Sequence, residues 1–391
     1  MRIIPTNAAV EVGKSAAEVR ARLRTGIPLF DDVITRVTGK ALQGQRAVLD
    51  VTPTRYLVFN ELSLAAVFTG VATLASAATT PALALAFAPA IAVGQVLLTG
   101  RLRAQQVVVG HHAVHNTFCG GHVWANRVIA EFGTLVSFSQ NPVAYRTDHV
   151  KGHHRLKVFT SGTDPDAAFL LSLGFRPGMT REALWRRFWA TLLSPRFHAR
   201  FLWSRVRANL IDASLTRRAL AIGYLGTLVA LGGWLGPVAS LAAIILPLGP
   251  LYHMSALAQF TSEHRWLVGE LATTDLEAYA ARSHGRIALA EMPRAGLKGI
   301  ERVLAWTGWL FRQSGEVLYR FGVTVGDLVN HDIHHLVGVL RLKADQWPQA
   351  AFQREEAIAA GDQFELAARE ALGWRAALDW VFVGLSDAQI K

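Results

Sequence analysis

Cysteine is almost missing from this sequence of 391 residues, in which Cys119 is the single example. One cysteine excludes a disulfide framework, and it also excludes zinc or iron–sulfur sites built from cysteine ligands. Any metal site in this chain must therefore use histidine and carboxylate side chains. The sequence supplies 14 histidines for that purpose.

Charged residues are also scarce, at 18% of the chain against about 25% in typical soluble domains. Two long stretches, residues 62–100 and 219–262, contain no Asp, Glu, Lys or Arg. Because one membrane-spanning helix needs about 20 apolar residues, each stretch is long enough for two helices joined by a turn. Prolines mark these turns in "ATTPA" and "LGPVAS". We predict four spans, at about 58–78, 81–101, 219–236 and 239–260.

Acidic residues are outnumbered, with 29 Asp and Glu against 40 Lys and Arg. We predict no nucleic-acid partner, because the sequence shows no separate soluble basic domain and anionic lipid accounts for the excess charge. Residues 101–218 alone hold 17 basic and 6 acidic side chains. The positive-inside rule places this segment and both termini in the cytoplasm. We therefore predict a multi-pass protein of the lipid bilayer, and the scattered charges of residues 1–50 predict no cleaved signal peptide.

Three histidine clusters carry the functional signal. They are "GHHAVHNTF" at 110–118, "TDHVKGHHRLK" at 147–157 and "GDLVNHDIHHLVG" at 326–338. On a helix, the spacings within each cluster direct the imidazoles to one side. With an isolated histidine after the fourth span, the candidate metal ligands are His111, His115, His149, His153, His154, His264, His331, His334 and His335. Nine imidazoles exceed the three or four ligands of a zinc site and suit two metal ions.

Polar residues beside these clusters are candidates for the outer partners that orient metal-bound imidazoles. The candidates are His112, Asp148, Glu263, Asp332 and Asn330, with Asp327, Asn116, Asp164 and Asp166 close by in sequence. Beyond the metal ligands, the sequence predicts no separate catalytic residue. All the clusters lie on the cytoplasmic side of the predicted topology, so they can converge on one site.

Taken together, "HHAVH", "HVKGHH", "SEHRW" and "HDIHH" resemble the histidine boxes of integral-membrane fatty acid desaturases and alkane hydroxylases. These are non-haem di-iron enzymes, and "HVKGHHRLKVFTSGTDPD" is similar to a longer run in some acyl-lipid desaturases. The resemblance covers roughly residues 55–340. It implies an all-α integral membrane protein, in which four transmembrane helices form two hairpins below a cytosolic helical cap that holds a di-iron site.

The resemblance also implies a function and a division of the chain. It implies an O2-dependent oxidoreductase that desaturates a fatty acyl or related lipid chain, which would lie in an apolar tunnel between the spans. Hydroxylation of an alkane or fatty acid at the same site is the alternative, because both reactions begin by abstracting hydrogen from a C–H bond. The implied cofactors are two iron ions, with O2 as co-substrate and a separate electron donor of the ferredoxin, rubredoxin or cytochrome b5 type. The expected parts are a cytosolic segment 1–54, a desaturase-like domain 55–340 and an amphipathic cytosolic tail 341–391.

Two other classes of protein use histidine clusters in membranes. A metal transporter or metal-binding membrane protein, the alternative from another class, needs polar ligands within the spans. The predicted spans offer little besides His253. A zinc intramembrane protease needs an HExxH motif, and the first cluster has no such glutamate.

Overall fold

The computed structural model describes residues 15–388, which form a mostly helical protein. Residues 1–14 of the expected N-terminal segment and 389–391 of the expected tail lie outside these described residues. Two short helices come first, α1 (Ala16–Arg22) and α2 (Pro28–Thr38). At the start of α1 the Ser15 hydroxyl accepts the N–H of Glu18, while the Ser15 N–H donates to the Glu18 carboxylate. This reciprocal cap satisfies two N–H groups that the helix leaves free.

Two long apolar helices follow, α3 (Pro53–Ala77) and α4 (Pro81–Ala104). Each begins with a proline preceded by a capping threonine, which suits a helix start because proline has no N–H to leave unpaired. A π-helical segment, Gln105–Gly110, continues α4 directly into α5 (His111–Val114). The second apolar helix therefore extends past its predicted end and carries the first histidine cluster.

Five shorter helices lie between the second and third apolar helices. They are α6 (Val123–Val136), α7 (Pro142–Tyr145), α8 (Pro165–Ser172), α9 (Arg181–Leu192) and α10 (Pro195–Val206). π-Helical segments continue α7 as Arg146–His153 and α10 as Arg207–Ile211. Such segments are rare and often occur at functional sites. The first of them holds histidines of the second cluster.

The third apolar helix is α11 (Leu215–Leu235). The fourth is built from α12 (Pro237–Ser240), a π-helical segment Leu241–Ile245, α13 (Leu246–Leu248) and α14 (Pro250–Phe260). By length and composition, four helices of the described chain could cross a membrane: Pro53–Ala77, Pro81–Val114, Leu215–Leu235 and Pro237–Phe260. The number agrees with the prediction from the charge-free stretches. More than half of the fourth helix is buried, whereas the other three are mostly exposed, so the fourth is central.

The remaining chain surrounds the third histidine cluster. Its elements are α15 (Leu276–Ala280), β1 (Gly285–Ile287), α16 (Gly299–Gly322), α17 (His331–Leu336), α18 (Ala350–Ala359), β2 (Glu370–Leu372) and α19 (Trp374–Asp387), with 3-10 turns at Leu328–Asn330, Ala344–Gln349 and Leu366–Ala368. β1 pairs with β2 in parallel, so the expectation of a wholly helical protein misses a short pair of strands. α16 lies so close to α4 that a side chain at Gly100 would collide with the backbone of Phe321.

The C-terminal segment is packed into the rest of the protein. Phe382 of α19 is fully buried in a core that it shares with side chains of α9 and α14. Arg354 on α18 forms an ion pair with Asp332 on α17 at 2.9 Å, so it joins the two sides of the predicted boundary at residue 340. Lys40 forms an ion pair with Glu355 at 2.9 Å, so it joins the N-terminal segment before residue 54 to the C-terminal segment. The predicted boundaries at 54 and 340 are thus not marked by a gap in packing.

Candidate metal centre

Four segments of the chain bring the nine predicted ligands together. The first cluster lies on α5 and the residue after it, and the third lies on α17. The second lies on the π-helical segment Arg146–His153 and the residue that follows, so it is helical as predicted but more widely wound. His264 lies in an irregular segment after α14, where its backbone forms an isolated antiparallel bridge with Ser283.

Seven of the nine imidazoles form two compact groups. In the first group, the ring nitrogens of four histidines lie within 4.8 Å of one another: His111, His115, His149 and His334. In the second group the same holds for three histidines: His153, His264 and His335. The second and third sequence clusters each contribute to both groups, so the two groups are direct neighbours.

The other two predicted ligands connect these groups. The Nε2 atoms of His154 and His149 are 3.1 Å apart, and the His154 ring stacks on that of His335 with centroids 4.4 Å apart. The Nε2 atom of His331 lies 3.2 Å from Nε2 of His335. All nine predicted histidines therefore belong to one continuous cluster.

Several ring nitrogens in this cluster face each other or have no hydrogen-bond partner. The Nε2 atoms of His111 and His334 are 2.9 Å apart. The Nε2 atoms of His115 and His264 are buried and have no partner among residues 15–388. Buried polar atoms are nearly always paired, so we expect another group to bind these nitrogens. Imidazole nitrogens bind iron, copper and zinc well, and a metal cation fits this set of donors.

More than half of the chain matches a known protein family. The family model described as "Fatty acid desaturase" covers residues 83–288. This chain belongs to the fatty acid desaturase family. Its histidine motifs had indicated the same membrane oxidoreductases, which act on lipids and use a metal cofactor, and that prediction is confirmed. No curated protein and no solved structure matches the chain. The family match ends at residue 288, before the third cluster. The fold nevertheless places the histidines of the third cluster beside those of the first two.

In this desaturase-family protein, hydroxyl groups contact the Nδ1 atom of three candidate ligands. The pairs are His111 with Tyr145 at 3.0 Å, His264 with Ser283 at 3.0 Å, and His335 with Tyr279 at 2.9 Å. Such outer partners fix the orientation of a ligand ring. Sequence analysis did not identify these three residues. Tyr145 lies four residues before His149, a helical spacing that could have indicated it, whereas the other two carry no local signal.

His153 has a carboxylate as its outer partner. The Oδ2 atom of fully buried Asp164 lies 2.8 Å from Nδ1 of His153, and a carboxylate oxygen of Asp166 lies 3.5 Å away. Burial acts to lower the pKa of His153, but the hydrogen bond with Asp164 and the charge of Asp166 outweigh it and raise that pKa. The contact engages Nδ1 and leaves Nε2 as the nitrogen that is free to bind a metal.

Two of the five predicted outer residues contact the cluster region. The Nε2 atom of His112 is 2.9 Å from Oδ2 of Asp327, and its ring stacks on Trp347 with centroids 4.3 Å apart. The Oε1 atom of Glu263 is 3.2 Å from Nε2 of His331. His112 is therefore held by a carboxylate and an indole, and together with Asp327 and His334 it forms a further group whose ligand atoms lie within 4.8 Å of one another.

The other three predicted outer residues make no hydrogen bond to a histidine ring within the described chain. Asp148 is exposed. Asp332 accepts a hydrogen bond from Arg354 at 2.9 Å, and the Asn330 amide donates to the Gly39 carbonyl at 3.0 Å. Their role as outer partners therefore stays a prediction.

Burial keeps most of the imidazoles neutral. It lowers the pKa of His149, His154, His264 and His335 well below the ordinary value, and the neighbouring imidazoles, which would repel a second protonated ring, add to the effect. Burial likewise lowers the pKa of His334 to about 3. A neutral imidazole presents the lone pair that a metal ion requires, so these rings are ready to bind one at neutral pH.

A cavity of about 310 Å³, here called the histidine cavity, adjoins the cluster. His111, His149, His153 and His331 form part of its wall. Apolar rings line another part, but so do polar groups, namely Arg103, Gln106, Gln140, Tyr252, Gln259 and Glu263. The expectation of a wholly apolar tunnel is therefore not met here. Whatever enters this cavity meets guanidinium, amide and carboxyl groups beside the imidazoles.

Proposed function

We propose that this protein is an O2-dependent, non-haem di-iron oxidoreductase that desaturates a fatty acyl or related lipid chain. The observation that carries the proposal is the pair of neighbouring histidine groups on the wall of one cavity. Membership of the fatty acid desaturase family supports the same chemistry. The unpartnered, buried nitrogens of His115 and His264 support metal binding independently of the family.

The two groups of histidines correspond to two iron sites in this proposal. His111, His115, His149 and His334 would hold one ion, and His153, His264 and His335 the other, with His154 and His331 completing the set. When bound, the iron pair supplies the oxidising power that attacks a C–H bond, using O2 and electrons. A separate donor of the ferredoxin, rubredoxin or cytochrome b5 type supplies the electrons, because the chain has one cysteine and no cysteine cluster of its own.

The protein's own residues position the reactants. Tyr145, Tyr279, Ser283 and Asp164 hold the ligand rings by their outer nitrogens. The histidine cavity receives the segment of the chain that is oxidised. Glu263 lies on its wall, and burial raises the pKa of this carboxyl, so Oε1 can hold and release a proton beside the histidines.

The arrangement of histidines along the chain supports the proposed topology. His115 ends the second apolar helix and His264 follows the fourth, so both lie on the same face of a membrane that the four helices cross. We place this face in the cytoplasm, since residues 101–218 carry 17 basic side chains. In this arrangement the helices form two hairpins, the histidines lie in a cytosolic cap, and both termini are cytoplasmic. The parts are the N-terminal segment 1–54, the desaturase-like domain 55–340 and the C-terminal tail 341–391.

The first test is the metal content of the full-length protein purified in detergent after anaerobic iron loading. We expect about two irons per chain, as in other di-iron carboxylate and histidine proteins. His334→Ala should lose most of this iron, because His334 belongs to the first group. His122→Ala is the matched control, because His122 is exposed and outside the cluster. One zinc per chain, or no metal retained, would contradict the oxidase and favour a metal-binding or transport role.

The second test identifies the reaction. Lipids from cells that express the protein should contain a product lacking two hydrogens relative to its precursor, and His334→Ala cells should lack that product. A product that has gained one oxygen instead would assign hydroxylation to the same site. Mass spectrometry of the hydrolysed lipids separates the two outcomes and also identifies the chain that is modified.

A further inference from the structure

A second cavity, of about 560 Å³, lies beside the start of α3, and is here called the arginine cavity. This size falls within the range of about 300–1,000 Å³ that is typical of small-ligand sites. Much of its wall is apolar and comes from α2, α3, α16, α18 and the 3-10 turns before α17 and α18. The apolar side chains on the wall include Val33, Val37, Phe59, Phe321, Val329, Pro348 and Phe352. It is distinct from the histidine cavity. Arg101 lines the arginine cavity and Arg103 the histidine cavity, because residues two apart point to different sides of α4.

Arg101 is the unusual residue of this cavity. The residue is 7% exposed, and among residues 15–388 its guanidinium has neither a hydrogen-bond acceptor nor an ion-pair partner. Its nitrogens are not enclosed by protein atoms and face the cavity that Arg101 lines. A charged group in such a position is normally paired. An anionic ligand in the cavity would provide the missing partner.

The rest of the wall does not neutralise this charge. Arg320 is also buried there and donates to the backbone carbonyls of Thr324 and Gly326, so no carboxylate pairs with it. Burial, with the charge of Arg101 adding to it, lowers the pKa of Arg320 to about 10. The carboxylate on the wall, Asp327, contacts His112 through Oδ2 at 2.9 Å, and its Oδ1 atom has no partner in the described chain. This single negative charge does not balance the two guanidinium groups. The cavity therefore has an excess of positive charge.

Neutral donors accompany the guanidinium groups of Arg101 and Arg320. Two further arginines on the wall, Arg36 and Arg55, are paired with Asp32 and Asp50. The hydroxyl of Tyr56 and Nε1 of Trp347 are buried on this wall without a hydrogen-bond partner in the described chain. Both are groups that donate to an oxyanion. A guanidinium and neighbouring N–H or O–H donors form the usual recognition set for a carboxylate.

The surroundings of the cavity indicate that its ligand also has an apolar part. Phe30 and Val33 of α2 and Phe59 of α3 are 56%, 44% and 60% exposed. They lie near the N-terminal end of the first apolar helix, where a membrane surface would meet the protein. Exposed apolar side chains at such a position mark contact with lipid. A ligand could therefore enter the arginine cavity from the bilayer.

We propose that the arginine cavity binds a long-chain carboxylic acid at a site separate from the metal centre. The carboxylate contacts the guanidinium of Arg101 and the hydroxyl of Tyr56. The alkyl chain lies along the apolar wall towards the exposed rim at Phe59. This site does not depend on the oxidation chemistry proposed above.

The test uses the full-length protein in a neutral detergent and palmitic acid that carries a photoreactive diazirine near its methyl end. After irradiation, mass spectrometry locates the labelled peptides. We expect labelling within residues 33–59 and 320–352, which is suppressed by excess palmitate but not by methyl palmitate, since the ester has no charge. Labelling confined to the histidine cavity, within 139–169 and 201–260, would overturn the proposal. Equal competition by the ester would overturn it as well.

Three variants sharpen this test. Arg101→Met should weaken labelling of the arginine cavity about ten- to a hundredfold, the size of a lost charge-assisted hydrogen bond. Arg302→Met removes an exposed arginine of α16 and should leave labelling unchanged. Ala351→Trp keeps every arginine but fills the cavity, since Ala351 is on its wall. This variant should abolish labelling of the arginine cavity. If Arg101→Met does not fold, Ala351→Trp decides, and unchanged labelling in a folded variant contradicts the site.

Discussion

Replacement of Asp164 by asparagine should weaken metal binding at the second histidine group. Asp164 is fully buried, and its Oδ2 atom accepts two hydrogen bonds, from Nδ1–H of His153 at 2.8 Å and from the Thr160 N–H at 2.7 Å. Its Oδ1 atom accepts the N–H of Asp166 at 2.9 Å and thereby caps α8. Asparagine has the same shape but one acceptor oxygen. Whichever way the amide turns, it places an NH2 group against an existing donor.

The size of the effect follows from these contacts. Loss of an outer partner of a metal-bound histidine typically lowers metal affinity 10- to 100-fold, which is about 1.4–2.7 kcal/mol. The mismatched buried donors cost a further 1–3 kcal/mol or so of folding free energy. We therefore expect Asp164→Asn to remain folded at low temperature, to bind iron at least tenfold more weakly, and to unfold at a lower temperature than the wild type.

The assay is an anaerobic titration of metal-free protein with Fe²⁺ in competition with a chromophoric chelator. Asp212→Asn is the control, because the Asp212 carboxylate is exposed and pairs with exposed Arg207, away from the histidines. It should change iron affinity less than about threefold, because an exposed ion pair contributes little. Wild-type affinity in Asp164→Asn, or equal losses in both variants, would refute the assignment of Asp164 as the residue that positions His153.

Three further predictions concern other parts of the protein. Tyr279→Phe removes the hydroxyl that contacts His335 at 2.9 Å, so iron affinity in the same titration should fall by roughly two- to tenfold, less than for a lost carboxylate. Arg354→Met leaves the buried carboxylate of Asp332 without an ion-pair partner, whereas Glu370 keeps Lys40 at 2.8 Å. The free energy of unfolding should fall by about 3–5 kcal/mol, seen as an earlier transition in denaturant, and an unchanged transition would show that the ion pair with Asp332 contributes nothing. Burial raises the pKa of Glu316 from 4.5 to about 7. Between pH 4.5 and about pH 7 the folded protein therefore keeps a proton that the unfolded chain releases, and the free energy of unfolding should fall as the pH rises through this range. In thermal unfolding scans between pH 4.5 and 8, Glu316→Gln should remove up to about 3 kcal/mol of this pH-dependent change in stability. Glu301→Gln replaces an exposed glutamate of the same helix and should leave the pH dependence unchanged.

The four apolar helices and the nine histidines could be predicted because each leaves a signal within a short stretch of sequence. Lipid exposure requires about 20 apolar residues in succession, and the charge-free stretches show that requirement directly. A metal needs several imidazoles on one side of a helix, and spacings of three to five residues show that as well. The family match and the positions of the four helices agree with these signals.

The outer partners of the histidines could not be predicted in the same way. Tyr279 and Ser283 reach His335 and His264 across separations of 56 and 19 residues, so no local pattern links them. The predicted partners Asp148 and Asp332 were chosen as sequence neighbours, but one is exposed and the other pairs with Arg354.

The sequence by itself determined the helices that could span a membrane, the family and the residue types of the candidate metal centre, because these depend on composition and short spacing. The tertiary structure alone decided which imidazoles from distant segments meet. His149 meets His334 in the group of four histidines, and His153 meets His335 in the group of three. The contacts of α5, α17 and the segment after α14 with the π-helical segment set these pairings. The fold also leaves the guanidinium of Arg101 without a partner on the wall of the arginine cavity, since pairing depends on contacts between residues that are far apart in the chain.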